Sequence, residues 1–262
     1  EITNLYPSVD ILATMDCMRA LGAKIDFDGD KAVIEGIKDI PESAVLDCCE
    51  SGSTLRFLIP VACALGVDTK FIGRGRLPQR PITPYLEEFP KHGVSFEYNN
   101  TMPFSTNGKL TGGKFYVDGG ISSQFITGLL FALPLLEEDS EIILTSHLES
   151  KPYVDITLGT LREHGCQVEE TENGYFVKGG QHYMPFSGRV EGDYSQAAFF
   201  KVANSLGSDI DIAGLSEKSF QGDKKIVEIC EKIVYNKNGG LRPFDLDCSD
   251  IPDLVPVLTV LG

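Results

Sequence analysis

The chain is poor in basic residues. Of its 262 residues, 23 are Lys or Arg and 38 are Asp or Glu, so the formal net charge is −15. A surface of that sign repels the phosphates of nucleic acids and anionic membranes, which argues against both as partners. The same field opposes anion binding in general, so any tight cluster of arginines in this sequence is significant. The length exceeds what one domain usually needs, so one large core or two cores are expected.

Patterns typical of disulfide frameworks, zinc sites and membrane spans are missing. The cysteines are odd in number, include no Cys-x-x-Cys pair, and stand at positions 17, 48, 49, 63, 166, 230 and 248. We therefore expect reduced, mostly buried thiols in a cytoplasmic protein. The longest apolar run, 125–136, is shorter than the roughly 20 residues of a membrane-spanning helix, and no signal-peptide pattern opens the chain.

Both ends of the sequence have features of an internal cut. The first residue is Glu1 rather than Met, and the last stretch, 254–262, is an apolar run with no polar segment after it. Natural termini are usually polar and exposed. We therefore expect the chain to be a piece of a longer protein.

Three glycines mark an internal repeat. Gly22, Gly93 and Gly165 are separated by 71 and 72 residues, and each stands between a helix-like stretch and alternating apolar residues. Glycine suits the position just after a helix, and the alternation suits a half-buried strand. The spacing predicts three similar structural units.

A second series of segments, 53–65, 122–133 and 195–203, opens with hydroxyl residues and continues almost wholly apolar. A helix that is apolar on all sides must be buried on all sides. Strands are predicted between these helices at 69–72, 114–117, 141–145, 175–178 and 209–212. The fold class is thus α/β, with repeated units, sheets outside and buried helices inside. We expect a three-repeat domain at 1–190 and a partial second domain at 191–262.

Four predicted helix starts carry residues suited to anions, at 51–54, 122–124, 150–153 and 193–196. Free backbone N–H groups and the positive end of the helix dipole attract anions at such places. Each start taken alone is explained as well by N-capping, for which Ser, Thr and Asp are the commonest residues. Four equivalent starts in one repeated architecture, two of them beside Arg or Lys, favour phosphate or carboxylate binding.

The most unusual local feature is a group of three arginines, Arg74, Arg76 and Arg80, within seven positions. Arginine binds carboxylate or phosphate through two parallel hydrogen bonds. A solvated loop explains Arg74 and Arg76 well. It explains Arg80 less well, because that residue directly precedes a predicted helix.

Two carboxylates, Asp250 and Asp253, precede the final apolar segment. A carboxylate that enters a site of low dielectric constant can have a raised pKa and can move protons near neutral pH. A helix cap is the alternative, and this stretch taken alone favours the cap.

Seven motifs in a fixed order resemble the enolpyruvyl transferase family, and within it the 5-enolpyruvylshikimate-3-phosphate synthases. They lie at 51–56, 79–82, 122–125, 149–153, 190–193, 219–223 and 251–253. The resemblance implies two globular domains of βαβαββ units, the inside-out barrel of that family, meeting at a cleft. One domain is then nearly complete in this chain and the second is partial.

The resemblance also implies an activity, transfer of the enolpyruvyl group of phosphoenolpyruvate to the 5-hydroxyl of shikimate 3-phosphate, in a monomer without metal or organic cofactor. By position, Asp253 matches the carboxylate that handles the proton of that hydroxyl. The resemblance implies that Gly52 and Arg80 contact phosphoenolpyruvate, and that Ser122, Ser123 and Ser150 contact shikimate 3-phosphate. It further implies that Gln124 contacts both substrates and that Tyr153 lies beside the shikimate ring.

Two alternatives remain open. The sister family, the UDP-N-acetylglucosamine enolpyruvyl transferases, carries a cysteine shortly before the matching Arg-Pro, and residues 64–80 contain none. A noncatalytic anion-binding module on the same fold is the second alternative, and the retention of Arg80, Gln124 and Asp253 together argues against it. Several basic and acidic motifs of the family have no counterpart within 1–262, so we expect this chain to be inactive by itself.

Overall fold

The computed structural model describes residues 1–232 and 245–262. The described chain forms two compact units. The first unit comprises Glu1–Leu148 and Thr160–Val190, and the second comprises Glu149–Gly159 and Glu191–Gly262. The short segment Glu149–Gly159 therefore packs with residues that follow Val190. Division of the whole protein into domains at residue 190 stays a prediction.

Helices α1 to α8 are Val9–Ala20, Gly52–Leu65, Thr83–Glu88, Ser123–Ala132, Lys151–Glu163, Tyr194–Ser205, Lys225–Lys232 and Val255–Leu261. Strands β1 to β12 are Ile2–Thr3, Lys24–Phe27, Ala32–Glu35, Ser43–Asp47, Asp68–Ile72, Ser95–Glu97, Phe104–Asn107, Gly113–Val117, Ser140–Leu144, Val168–Thr171, Gly174–Val177 and Gly188–Arg189. Single 3₁₀ turns occur at Leu77–Gln79, Phe89–His92, Leu133–Leu135, Gly222–Lys224 and Pro252–Leu254.

The first unit contains three four-stranded sheets, with strand orders β4-β5-β7-β6, β10-β11-β9-β8 and β12-β1-β3-β2. In the first of these, β4 and β5 are parallel neighbours, and the crossover that a parallel pair requires is α2. The second sheet repeats this arrangement, with β8 and β9 parallel and α4 between them. In both cases the chain order is β-α-β-α-β-β, which confirms the predicted repeat for these two units. The sheet β12-β1-β3-β2 does not have this order within the described chain.

Helices α2 and α4 form the interior of the first unit. They pack against each other, and most of their residues are buried. The sheet faces that point away from these helices carry exposed side chains, such as Val33, Val45 and Tyr116. The prediction of sheets outside and buried helices inside is therefore confirmed for this unit, and the cause is the all-round apolar character of the two helices.

The repeat glycines have the predicted role. Gly22, Gly93 and Gly165 follow helical segments with φ values of 103°, 88° and 78°. This left-handed conformation ends a helix, and it costs glycine little because glycine has no Cβ.

All seven cysteines are free thiols, and Cys17, Cys48, Cys63 and Cys166 are buried. The prediction of mostly buried thiols is confirmed. Burial in apolar surroundings makes the four buried thiols behave as small hydrophobic side chains.

The close approach of α2 and α4 depends on Gly128. A Cβ at this position would lie 2.4 Å from the carbonyl oxygen of Arg56 and 2.4 Å from the hydroxyl of Tyr85. Neither atom is free to move, because the Tyr85 hydroxyl donates a hydrogen bond to the Arg56 carbonyl at 2.7 Å. The residue must therefore lack a side chain.

We expect Gly128→Ala to lower the free energy of unfolding of the full-length protein by about 1–3 kcal/mol, the usual cost of overpacking a core. Helix propensity alone would favour alanine by up to about 1 kcal/mol, so a net loss has to come from the contact. Urea denaturation measures the change. Gly36→Ala is the control, because no atom lies within 4 Å of its Cβ position. Equal stabilities of the two variants would contradict the prediction.

The second unit has a core of its own, made by α6, α7 and α8. Ile226, Ile251 and Leu254 are fully buried at its centre. The final apolar run forms α8, which packs against α6. This contact buries one face of α8, formed by Val257, Leu258 and Leu261. Within residues 1–232 and 245–262, no helix has both the length and the apolar character needed to cross a bilayer.

Two predictions for this part of the chain are wrong. Helix α6 is not buried on all sides, since Phe199 and Phe200 are 54% and 49% exposed and only the opposite face meets the core. The segment 209–212 is not a strand. The side chain of Asn204 donates to the carbonyl of Ile210 at 2.8 Å and accepts from its N–H at 2.9 Å, so both backbone groups bind a side chain instead of a neighbouring strand.

Candidate functional site

The predicted site residues fall into two groups, one in each unit. The first unit holds Gly52, Arg80, Ser122, Ser123 and Gln124, and the second holds Ser150, Tyr153 and Asp253.

A buried arginine organises the group in the first unit. Arg56, on α2, is only 7% exposed. Its Nη1 donates to Oε1 of Gln124 at 2.9 Å and to Oγ of Ser122 at 3.5 Å, and its Nη2 donates to the carbonyl of Pro81 at 3.2 Å. The guanidinium carbon lies 4.7 Å from the ring centroid of Phe125. All these groups are neutral, so dipoles and an aromatic face hold the charge, with no carboxylate.

The electrostatic state of Arg56 is unfavourable. Burial, and to a smaller degree the nearby charge of Arg80, lowers the pKa of Arg56. Its Nε is also buried with no hydrogen-bond partner in the described part of the chain. Arginine nevertheless stays protonated in proteins. A buried cation in this state is stabilised when an anion arrives.

The guanidinium of Arg80 lies against the first residue of α2. A Cβ on Gly52 would lie 2.7 Å from Nη1 of Arg80, so only glycine leaves room for this approach. Among residues 1–232 and 245–262, no carboxylate forms an ion pair with Arg80 or Arg56. Two guanidinium groups and the amino end of α2 thus converge without a counterion, which is the arrangement of an anion site.

Ser122 and Ser123 open helix α4. Oγ of Ser122 caps the helix by accepting from the N–H of Gln124 at 3.4 Å, and Ser123 is buried behind it. N-capping is therefore confirmed as one role of Ser122, as it is for Ser51 and Asp193. A capping hydroxyl uses its oxygen as acceptor and keeps its hydrogen, so Ser122 still has a donor to offer an anion.

Arg56 was not among the residues predicted for the site, although its motif was. The structure places Arg80, Ser122 and Gln124 around it. A signal was present in the sequence: an arginine stood inside a helix predicted to be buried on all sides, and arginine is almost never fully buried without a partner.

Arg74, Arg76 and Arg80 are all exposed, so they differ in their contacts. The Arg74 side chain donates to the sulfur of Cys49 at 3.1 Å, whereas the guanidinium of Arg80 lies against Gly52. The interpretation of Arg74 and Arg76 as residues of a solvated loop is confirmed.

In the second unit, Tyr153 is hydrogen-bonded to a buried carboxylate. Its hydroxyl donates to Oδ2 of Asp223 at 3.3 Å. Burial, followed by the charges of Asp223 and Asp253, raises the pKa of Tyr153, so the phenol keeps its proton. Ser195 also donates to Asp223 Oδ2. Asp223 was not predicted as a site residue, although its motif at 219–223 was noted.

Asp253 lies in the first turn of the 3₁₀ segment Pro252–Leu254, with its side chain exposed. The cap position of this turn is Ile251, and no side chain caps it. The structure therefore gives no support to the helix-cap interpretation of Asp253. Its neighbour Asp250 has a different environment, with Oδ2 3.7 Å from Nζ of Lys225.

Ser150 stands at the start of α5 in an uncommon backbone conformation. Its φ of 58° is left-handed, which few residues other than glycine adopt. Its N–H donates to the carbonyl of Ser249 at 3.2 Å, and its carbonyl accepts from the N–H of Tyr153 at 3.1 Å. These bonds tie Ser150 to Tyr153 and to the segment that carries Asp253.

Comparison with known proteins gives consistent results. The family model for EPSP synthase (3-phosphoshikimate 1-carboxyvinyltransferase) matches residues 1–262. A 3-phosphoshikimate 1-carboxyvinyltransferase of Clostridium perfringens (strain ATCC 13124) is 44% identical over 276 residues, which cover 100% of this chain and 65% of that protein. The protein of the same name from Clostridioides difficile (strain 630) is 42% identical over 285 residues, with the same coverage.

Among solved structures, an EPSP synthase from Acinetobacter baumannii superposes with a TM-score of 0.76 at 20% identity, over 99% of this chain and 64% of that one. At this identity the superposition shows the shared fold. The chain thus spans 65% of the length of the curated relatives that it matches. Because the family model matches from the first residue to the last, the chain belongs to the EPSP synthase family.

Proposed function

We propose that the full-length protein transfers the enolpyruvyl group of phosphoenolpyruvate to the 5-hydroxyl of shikimate 3-phosphate and releases phosphate. The observation that carries the proposal is the pair Arg56 and Arg80 beside Gly52, without a carboxylate partner in the described residues. In a chain of net charge −15, such a pair at a helix amino end favours a small anion that carries both carboxylate and phosphate.

Gln124 is suited to bind both substrates. Because Arg56 donates to Oε1 of Gln124, the orientation of the amide is set and its NH₂ group is left as a donor. In our proposal this NH₂ contacts both substrates, while Ser122, Ser123 and Ser150 donate to shikimate 3-phosphate. Tyr153 packs beside the shikimate ring.

The proposed chemistry is an addition followed by an elimination. Asp253 takes the proton of the 5-hydroxyl while the oxygen forms a bond to C2 of phosphoenolpyruvate, and C3 receives a proton. The tetrahedral intermediate then loses a proton from C3 and expels phosphate from C2, which restores the double bond. Holding two anions in line for this attack can contribute several kcal/mol, on the order of 7–11 in favourable cases.

The decisive experiment is substrate-dependent phosphate release by the full-length protein. We expect release when phosphoenolpyruvate and shikimate 3-phosphate are both present, and none when UDP-N-acetylglucosamine replaces the shikimate. Release with the UDP-sugar would favour the sister family. Binding of phosphoenolpyruvate without release under either condition would favour the noncatalytic anion-binding module.

We further propose a monomeric protein of the cytoplasm. The high negative charge and the free thiols support this proposal. Light scattering at working concentration tests the oligomeric state, and a stable dimer would contradict it.

A further inference from the structure

The motif at 219–223 has no role in the proposed reaction, although it packs on residues that do. It leads into the 3₁₀ turn Gly222–Lys224, which lies in the second unit together with the segment Glu149–Gly159. That segment carries Ser150 and Tyr153, two of the residues proposed to contact shikimate 3-phosphate. The chain leaves the first unit to form this segment and returns to the first unit after it, so contacts within the second unit have to hold it in place.

Two glycines bring the motif close to this segment. A Cβ on Gly222 would lie 2.5 Å from the Cβ of Pro152, which directly precedes Tyr153. A Cβ on Gly159 would lie 3.2 Å from the ring of Phe220. The motif therefore contacts helix α5 at two points, and one of them adjoins Tyr153.

Asp223, in the middle of the turn, makes the polar contact. It is 3% exposed, and its Oδ2 accepts from the hydroxyl of Tyr153 at 3.3 Å and from the hydroxyl of Ser195. Because Ser195 lies on α6, one carboxylate oxygen connects α5 to α6. Burial raises the pKa of Asp223, and the hydrogen bonds from Ser195 and Tyr153 oppose this rise because they stabilise the charged form.

The environment of Asp223 is unfavourable for stability. Its Oδ1 is buried and has no hydrogen-bond partner in the described part of the chain. A buried carboxylate oxygen without a donor costs free energy that an apolar side chain of similar shape would not cost. Stability alone therefore does not explain an aspartate here, whereas the two hydroxyls that Oδ2 binds give it a use.

Tyr153 depends on such a partner because its side chain is only partly buried. Packing alone restricts a ring of this kind less than it restricts a ring in the core. A hydrogen bond to the hydroxyl fixes the far end of the ring. A ring that is already fixed loses less conformational entropy when a ligand packs against it, so the ligand binds more tightly.

We propose that Asp223 is a positioning residue, which holds the Tyr153 ring through its hydroxyl in the orientation that packs beside the ring of shikimate 3-phosphate. This inference rests on the proposed function, in which Tyr153 makes that contact. Asp223 itself touches neither substrate and neither gains nor loses a proton. Its effect is confined to shikimate 3-phosphate, because phosphoenolpyruvate is assigned to Gly52 and Arg80 in the first unit.

The test is a double-mutant cycle with Asp223→Ala and Tyr153→Phe in the full-length protein. Tyr153→Phe keeps the ring and removes the hydroxyl that Asp223 binds. We expect each single variant to raise the Kd of shikimate 3-phosphate about threefold to tenfold, the usual effect of having to order one more side chain on binding. The double variant should bind no more weakly than the weaker single variant, because both changes remove the same hydrogen bond. The KM of phosphoenolpyruvate should stay within about twofold of its original value.

Asp250→Asn is the matched control. It also removes a carboxylate from the second unit, but one that pairs with Lys225, so the Kd of shikimate 3-phosphate should not change. If the melting curve shows that Asp223→Ala does not fold, Asp223→Leu takes its place in the cycle. Leucine fills the space of the branched carboxylate and still removes the acceptor oxygen.

Effects that multiply in the double variant would overturn the inference, because the two residues would then act independently. An unchanged Kd in a folded Asp223 variant would also overturn it. So would an equal rise in the KM of phosphoenolpyruvate, which indicates a general loss of structure. Failure of the unmodified full-length protein to bind shikimate 3-phosphate or to release phosphate would instead overturn the proposed function, so the two failures are distinguishable.

Discussion

Asp253→Asn is expected to remove most turnover from the full-length protein while shikimate 3-phosphate still binds. Asparagine keeps an oxygen that can accept from the substrate hydroxyls, but it loses the negative charge and cannot take a proton. General acid–base groups typically contribute 10²–10⁴-fold, so we expect kcat to fall about a hundredfold or more. A binding titration and a turnover assay on the same variant measure the two effects.

Asp250→Asn is the matched control. It lies three residues earlier, and its carboxylate pairs with Lys225. An exposed ion pair of this kind contributes about 0–1 kcal/mol to stability, so both turnover and melting temperature should change little. Near-normal turnover of Asp253→Asn with an unchanged melting temperature would remove Asp253 from the mechanism. Since no side chain caps the turn at Ile251, a large loss of stability is not expected either.

Arg80→Lys is expected to weaken phosphoenolpyruvate binding far more than shikimate 3-phosphate binding. Lysine keeps the charge but loses the planar fork that forms two parallel hydrogen bonds to a carboxylate or phosphate. One charge-assisted hydrogen bond contributes about 1.5–3 kcal/mol, which corresponds to roughly a tenfold to hundredfold rise in the Kd of phosphoenolpyruvate. Calorimetric titration of each substrate gives the comparison.

The control for Arg80 comes from the same loop. Arg76→Lys changes an exposed arginine for which we propose no substrate contact, so both dissociation constants should stay within about twofold of their original values. Equal losses for the two substrates in Arg80→Lys would mean that Arg80 supports the fold around Gly52 and does not clamp an anion.

The repeated fold was predictable because its signals are local. Gly22, Gly93 and Gly165 mark helix ends through a backbone conformation that glycine adopts most easily. The burial of helices α2 and α4 could be predicted because both are apolar on all sides, and such a helix is stable in water only when all of its faces are covered.

The errors occurred where a local pattern depended on neighbours distant in sequence. Helix α6 is rich in apolar residues, but the described residues of the second unit cover only one of its faces, so Phe199 and Phe200 are exposed. The segment 209–212 has the composition of a strand, but a strand also needs a neighbouring strand to pair with. Here the N–H and the carbonyl of Ile210 are both hydrogen-bonded to the side chain of Asn204.

An ordered set of short motifs is specific and helix starts are local, so the family, the βαβαββ repeat and most residues of the proposed anion site could be predicted from the amino-acid sequence. How these residues act on one another became visible only in the folded chain. Arg56 meets Ser122 across 66 residues, and Tyr153 meets Asp223 across 70. Whether a charge has a counterion, and which carboxylate accepts from a given hydroxyl, depends on distances of a few ångströms. Packing sets those distances, and no local pattern in the chain encodes them.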